Sequence, residues 1–152
     1  MAGPREPSDL VRALLIRYVT VKPEGLLLDP EAEPVEQVSA ILVRSSPART
    51  LYEARRPICR SLDGVRAFNG RDCLRCPERG ACTPQVLVEL DIAAQPYRLL
   101  LAFTSAKNFL LFVDRTLKEG KDLARLPVRI RVLNRGRWGE VLFAIDRAGL
   151  VA

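Results

Sequence analysis

Four cysteines carry the most definite chemistry in this chain: Cys59, Cys73, Cys76 and Cys82, spaced C-x13-C-x2-C-x5-C. A C-x2-C step lets two thiolates meet on one tetrahedral ion at about 2.3 Å each. Pro77 and Gly80 turn the chain back so that Cys82 reaches the same ion, and Gly64, Asn69 and Gly70 give a flexible return between the first ligand and the pair. The expected occupant is a zinc ion. Four protein ligands leave no open position for water or substrate, so its expected role is structural. Arg56, Arg60, Arg71, Arg75 and Arg79 lie close to the cysteines in sequence. They offset the double negative charge of a zinc tetrathiolate and favour the thiolate form. The metal would hold in one shape an arginine-rich loop of roughly 25 residues, too long to stay ordered unaided.

Other chemistries for the same cysteines fit less well. Two disulfides are disfavoured, because residues 1–9 (MAGPREPSD) lack the apolar stretch of a secretory signal. A redox pair at Cys73 and Cys76 ignores the other two thiols and lacks a βαβ setting. A zinc deaminase needs a ligand followed by a catalytic glutamate, ahead of a P-C-x-x-C pair, and neither element is present. An iron–sulfur cluster of the 4Fe-4S type is the alternative. Residues 73–82 (CLRCPERGAC) resemble the iron–sulfur knots of nucleases of the RecB kind, where a fourth cysteine lies upstream; here that would be Cys59. The acidic and lysine motifs of that nuclease core are not recognisable, and 152 residues are too few to hold it.

Histidine is absent. That removes the commonest general base, the histidine-activated nucleophiles and every histidine-containing metal site. No close carboxylate constellation, glycine-rich phosphate loop or G-x-S-x-G elbow takes its place. Asp63 and Asp72 flank the cysteines, but Asp63-Gly64 reads as a turn and Asp72 as a solvated residue or one supporting the metal ligands. The chain is therefore not expected to be an enzyme.

Charge points to a partner instead. The formal net charge is +6, and it is unevenly distributed. Residues 1–43 are net −3, residues 44–79 net +5 and residues 98–137 net +7. Two basic blocks of this kind read as an electropositive surface for a polyanion, usually nucleic acid, although solvated surface charge is the plainer alternative. Arg55, Arg56, Arg60, Arg66, Arg71, Arg129, Arg131, Arg135 and Arg137 are the candidates for phosphate contacts. Phe68, Trp138 and Tyr52 are the candidates for stacking on bases. Trp138 begins a strand and Arg129 and Arg131 sit on a strand's polar side, so each also has a purely structural reading. Phe68, among polar loop residues, is the least expected in a core.

The cysteine segment also carries a resemblance. Pro57-Ile58-Cys59-Arg60-Ser61-Leu62-Asp63-Gly64, followed by Cys73-x2-Cys76-Pro77 and Cys82, is similar to the P-x-C-x-S-x-D-G signature and cysteine pair of small cysteine-rich accessory proteins of phages, plasmids and integrative elements. Those proteins look like single-stranded-DNA-binding proteins. Phe103-Thr104-Ser105-Ala106-Lys107 and Gly120-Lys121 sit where that group has a strand, a helix start and a helix end. The likeness spans roughly residues 35–145. The stretch between Cys76 and Cys82 is shorter than in the group and lacks its tryptophan. The resemblance implies metal binding and a DNA-linked role.

The elements that must position these residues follow from periodicity. Residues 10–19 (LVRALLIRYV) read as a strand before a turn at Pro23-Glu24-Gly25, and residues 29–36 as an acidic loop. Residues 37–44 read as a strand that 51–54 continue or pair with, residues 57–84 as loop, and 85–92 and 97–103 as strands. A helix follows, capped by Thr104 or Ser105, with Phe109, Leu110, Phe112, Val113 and Leu117 on one face and Gly120 at its end. Residues 126–133 and 138–145 form a last hairpin. Apolar residues at 48% and the length of 152 residues fit one folded domain. The expected organisation is a flexible tail, residues 1–9, and one β-rich α+β domain, residues 10–152, with a metal-binding insertion at 57–84. One prominent helix before a final strand pair matches an OB-like five-stranded barrel.

The expected function is thus a non-catalytic nucleic-acid-binding protein, preferring single-stranded DNA. The second expectation is a protein-interaction adaptor docking on a larger complex that processes DNA or RNA in replication, recombination or mobile-element transfer. No apolar run approaches the roughly 18 residues of a membrane span, so a cytoplasmic location without a membrane partner is expected.

Overall fold

A computed structural model describes residues 16–150. The expected tail and most of the expected first strand lie outside the described residues; only Arg17–Tyr18, here β1, is seen of that strand. The elements that follow are β2 Thr20–Lys22, β3 Gly25–Leu27, β4 Gln37–Glu53, β5 Arg56–Ser61, β6 Thr83–Ile92, β7 Gln95–Ala102, α1 Phe103–Lys118, β8 Pro127–Asn134 and β9 Gly139–Ile145. The chain is β-rich α+β.

One seven-stranded sheet runs β1-β7-β6-β4-β8-β9, with β5 also on β4. Its pairings are antiparallel except the parallel pair β1–β7. β4 is the spine. Residues 37–41 pair with β8, 41–50 with β6 and 49–53 with β5. The expected strand over residues 37–44 is longer than read, continuing without a break through Glu53. Pro47 is tolerated where β4 is paired along one edge only, to β6.

The register of β4 against β6 shifts between Leu42 and Arg44, so exposed Val43 is an extra residue. Such a bulge exchanges the faces of all residues beyond it. Before it Ala40 and Leu42 enter the core; after it Arg44 lies opposite Glu89 on the other face.

The core joins Val88, Leu90, Leu99, Leu101, Val128, Ile130 and Val141 of the sheet to Phe109 and Phe112 of α1. Phe109 meets Phe143 edge-on at 5.2 Å between ring centroids. Each such side chain contributes about 1.5–3 kcal/mol by leaving water. α1 buries Ser105, Phe109, Phe112 and Thr116, while Leu110 and Leu117, expected inward, are exposed. The expected cap is not made either. Ala102 occupies the N-cap without a side-chain bond, and Ser105 Oγ instead accepts the Val141 N–H at 3.0 Å.

The sheet is open, and a five-stranded OB-type barrel, the finer expectation, is not shown. The small β2–β3 hairpin, missed in sequence, lies against the start of β9. A Cβ on Gly139 would stand 2.6 Å from the Lys22 carbonyl oxygen, so only glycine allows this approach.

Candidate metal centre and basic face

Strands fix two of the cysteines. Cys59 lies within β5 opposite Leu51 of β4, and Cys82 directly precedes Thr83, which is opposite Thr50. The segment read as loop therefore begins as a strand. Cys73 is tied to the loop by its N–H to the Val65 carbonyl at 2.7 Å, and Arg66 pairs with Asp72 in an isolated bridge. Beyond Pro77 a short 3-10 turn at Arg79–Ala81 returns the chain: Arg79 N–H donates to Cys76 O, and Cys82 N–H donates to Arg79 O.

All four cysteines line one cavity of about 30 Å³, together with Arg49, Ala67 and Arg71. A volume of that size has room for a water or a single ion. Cys73 is buried and the other three thiols half-buried, all free of disulfides. Burial, then the neighbouring Cys76 thiol, pushes the Cys82 thiol up, with Arg49 opposing. Among the described residues, no three histidine, cysteine or carboxylate side chains are gathered closely enough to hold a metal as they stand. The donor set is nonetheless all-thiol, a chemistry that suits zinc or an iron–sulfur cluster and not a hard oxygen-seeking cation, and the cavity's size favours the single ion.

The S-x-D-G part of the signature is a turn. Asp63 Oδ1 accepts from the N–H groups of Val65 and Arg66 at 2.8 and 2.9 Å and from Ser61 Oγ at 3.0 Å. Those bonds, the one from Arg66 first, hold its carboxyl below the usual range. Ser61 Oγ in turn accepts the Gly64 N–H at 2.9 Å, and Gly64 has φ +74°, a left-handed value that suits glycine. Asp72 Oδ1 accepts the Leu74 N–H in the same manner. Asp63 is a turn residue, as expected; Asp72, expected to be solvated or to support the metal ligands, also closes a turn.

Phe68 is 71% exposed although its backbone is fixed by an N–H bond to Arg60 O at 2.9 Å. It borders two concavities of about 430 Å³ each: one bounded by Arg44, Arg66 and Arg98, the other by Ile58, Arg60 and Asn69. Arg44, Glu89 and Arg98 form a ladder across β4, β6 and β7, with Arg44 Nη2 3.2 Å and Arg98 Nε 3.4 Å from the Glu89 carboxylate. Arg98 Nε is buried and too poorly aligned on Glu89 for a hydrogen bond. Sequence reasoning missed Arg44, Arg98 and Glu89. Their only signal was a charge inside otherwise apolar strand patterns.

The other expected contacts are divided. Arg55 and Arg56 are exposed at and beside the β4–β5 turn. Arg60 Nε donates to Thr50 Oγ1 at 3.2 Å, and Arg71 lies 3.9 Å from Glu78 at the cysteine cavity. Tyr52 is partly exposed and its hydroxyl accepts from Gln85 Nε2 at 3.4 Å. Arg129 is paired with Asp146 at 3.2 Å and Arg135 with Glu140 at 3.0 Å. Arg131 and Arg137 are exposed. By register, Arg129 and Arg131 lie opposite Ser39 and Gln37 on the face of the sheet that turns away from the core, as Arg44 and Arg98 do. Trp138 is not beside Phe68; it lines a separate concavity with exposed Phe103.

Comparison with protein families, curated proteins and solved structures returns no match for the chain. Among the described residues no helix is long and apolar enough to cross a membrane.

Proposed function

We propose that the protein is a non-catalytic nucleic-acid-binding module, selective for single strands, whose four cysteines hold one structural zinc ion. The observation that carries this reading is Phe68. A large aromatic ring stands in solvent on a backbone that is hydrogen-bonded on both sides, with arginines in the concavities flanking it. Bases stack on such rings whatever their identity, and guanidinium groups neutralise the phosphates between them. Double-stranded DNA hides its base faces and would leave the ring unused.

Cys59, Cys73, Cys76 and Cys82 would be the zinc ligands, and the ion would act by fixing the loop that carries Ala67 and Phe68. The chemistry it supplies is charge and tetrahedral geometry, with no reaction attached. A 4Fe-4S cluster is the alternative occupant, recognised by broad visible absorbance in place of stoichiometric zinc. The likeness of the cysteine segment to mobile-element accessory proteins supports a DNA-linked role.

Titration of a labelled single-stranded oligonucleotide tests the reading. Binding should weaken steeply with salt, with a slope of log K on log salt near −0.7 for each phosphate neutralised. Absent binding at low salt, or binding indifferent to salt, contradicts it.

Exposed Leu110 and Leu117, spaced by seven residues on α1, favour the adaptor as a second reading. A partner recovered from nuclease-treated lysate, and lost with Leu110→Asp, would support that instead.

A further inference from the structure

We propose that Phe68 is a wedge that separates two adjacent nucleotides of a bound strand; this rests on the nucleic-acid reading above. The ring adjoins two open concavities of about 430 Å³ each on this face. The exposed ring thus adjoins arginine-bearing surface in both concavities.

The two hollows differ in chemistry. One carries Arg44, Arg66 and Arg98, with Glu89 paired to Arg44 and Arg98 and Asp63 also on its wall; three guanidinium groups against two carboxylates suit a phosphate and its sugar. The other carries apolar Ile58, Arg60 and Asn69 and suits a base. Asn69 Oδ1 already accepts the Arg71 N–H at 3.0 Å, which leaves its Nδ2 to donate to an acceptor on a base edge.

The wedge is braced from beneath. Ala67, the preceding residue, is buried and lines the cysteine cavity, so adjacent side chains point to the metal centre and to solvent. Ala67 N–H donates to Arg71 O, Gly70 N–H to Ala67 O and Phe68 N–H to Arg60 O, each at 2.9 Å. A side chain inserted between bases must resist being pushed aside, and this closed turn supplies that resistance.

The test uses the full-length metal-loaded chain and single-stranded oligonucleotides with 2-aminopurine set among adenines. This base is quenched by stacking on its neighbours and brightens when the stack opens. Binding should raise its fluorescence severalfold. Phe68→Ala, at an exposed site that leaves the fold intact, should bind about tenfold more weakly and without the rise. Binding with no rise, or an equal rise with Phe68→Ala, overturns the wedge while leaving the nucleic-acid reading in place. Failure of the unaltered protein to bind any single strand at low salt overturns both.

Discussion

Replacing Glu89 by glutamine should make the protein bind single strands more tightly. Glu89 is the carboxylate of the Arg44–Glu89–Arg98 ladder, in contact with Arg44 Nη2 at 3.2 Å and Arg98 Nε at 3.4 Å. It neutralises part of the charge that the bulge at Val43 brings to this face. Glu89→Gln removes the negative charge and keeps the volume. For a phosphate about 6 Å away at an effective dielectric of about 40, the repulsion relieved is about 1.4 kcal/mol, or tenfold in affinity. The structural cost is small. The Arg44 side chain is 71% exposed, so its pair with Glu89 belongs with exposed pairs worth about 0–1 kcal/mol; the Arg98 pair is more buried, and glutamine keeps an oxygen facing its Nε. Fluorescence anisotropy at about 50 and 200 mM salt measures the effect, and the gain should shrink at the higher salt. Glu119→Gln is the control: it makes the same change in net charge just beyond the end of α1, beside Lys121. Tighter binding cannot arise from misfolding. Unchanged or weaker binding by Glu89→Gln, or an equal gain by Glu119→Gln, would refute the assignment of this face.

Two further outcomes concern the fold. The β6–β7 turn places Ala93 at φ +49° and Ala94 at φ +64°, a primed turn without the residues that favour it. Ala93→Asn with Ala94→Gly should raise stability by about 1–2 kcal/mol in urea unfolding; a loss would contradict the left-handed geometry. The Glu140 carboxyl is held below its ordinary range, first by Asn108 Nδ2 at 2.9 Å and then by Arg135. A depressed folded-state value means its contribution is complete above the ordinary glutamate range and is lost as pH falls through the lowered value. Unfolding measured from about pH 3 to 6 should therefore show a flatter acid limb for Glu140→Gln; an unchanged limb would show that the group is not linked to folding.

Much of the fold was legible because long apolar patterns dominate it. β6, β7, α1, β8 and β9 fall within two residues of their expected bounds. The failures share a cause: tertiary pairing overrode a local signal. Pro47 sits inside β4 because only one of its edges is occupied there, and Cys59 sits in a strand because β4 offers β5 a partner. Leu110 and Leu117 match the helical period of the core yet lie on its far side. The order of elements suited a barrel, but the sheet is open, with β1 and β9 at its two edges, and whether edges pair is not reported by any periodicity.

At the site, the shared cavity of the four cysteines and the exposure of Phe68 follow from spacing and polarity that the sequence displays. The ladder does not. Arg44 and Glu89 are 45 residues apart and meet only through register, and a one-residue bulge decides which face Arg44 takes. Arg129 and Arg135 were expected as phosphate contacts, but Asp146 and Glu140 already engage them, a pairing that the sequence pattern does not display.

The most direct test joins metal to binding in one titration. A labelled single-stranded oligonucleotide is titrated with the protein as purified, with the same sample after removal of its metal, and again after zinc is restored. The account predicts salt-sensitive binding that falls at least tenfold on removal and returns with one zinc per chain, because the loop bearing Phe68 depends on the ion. Equal affinity with and without metal, or a protein that never carried one, would contradict it.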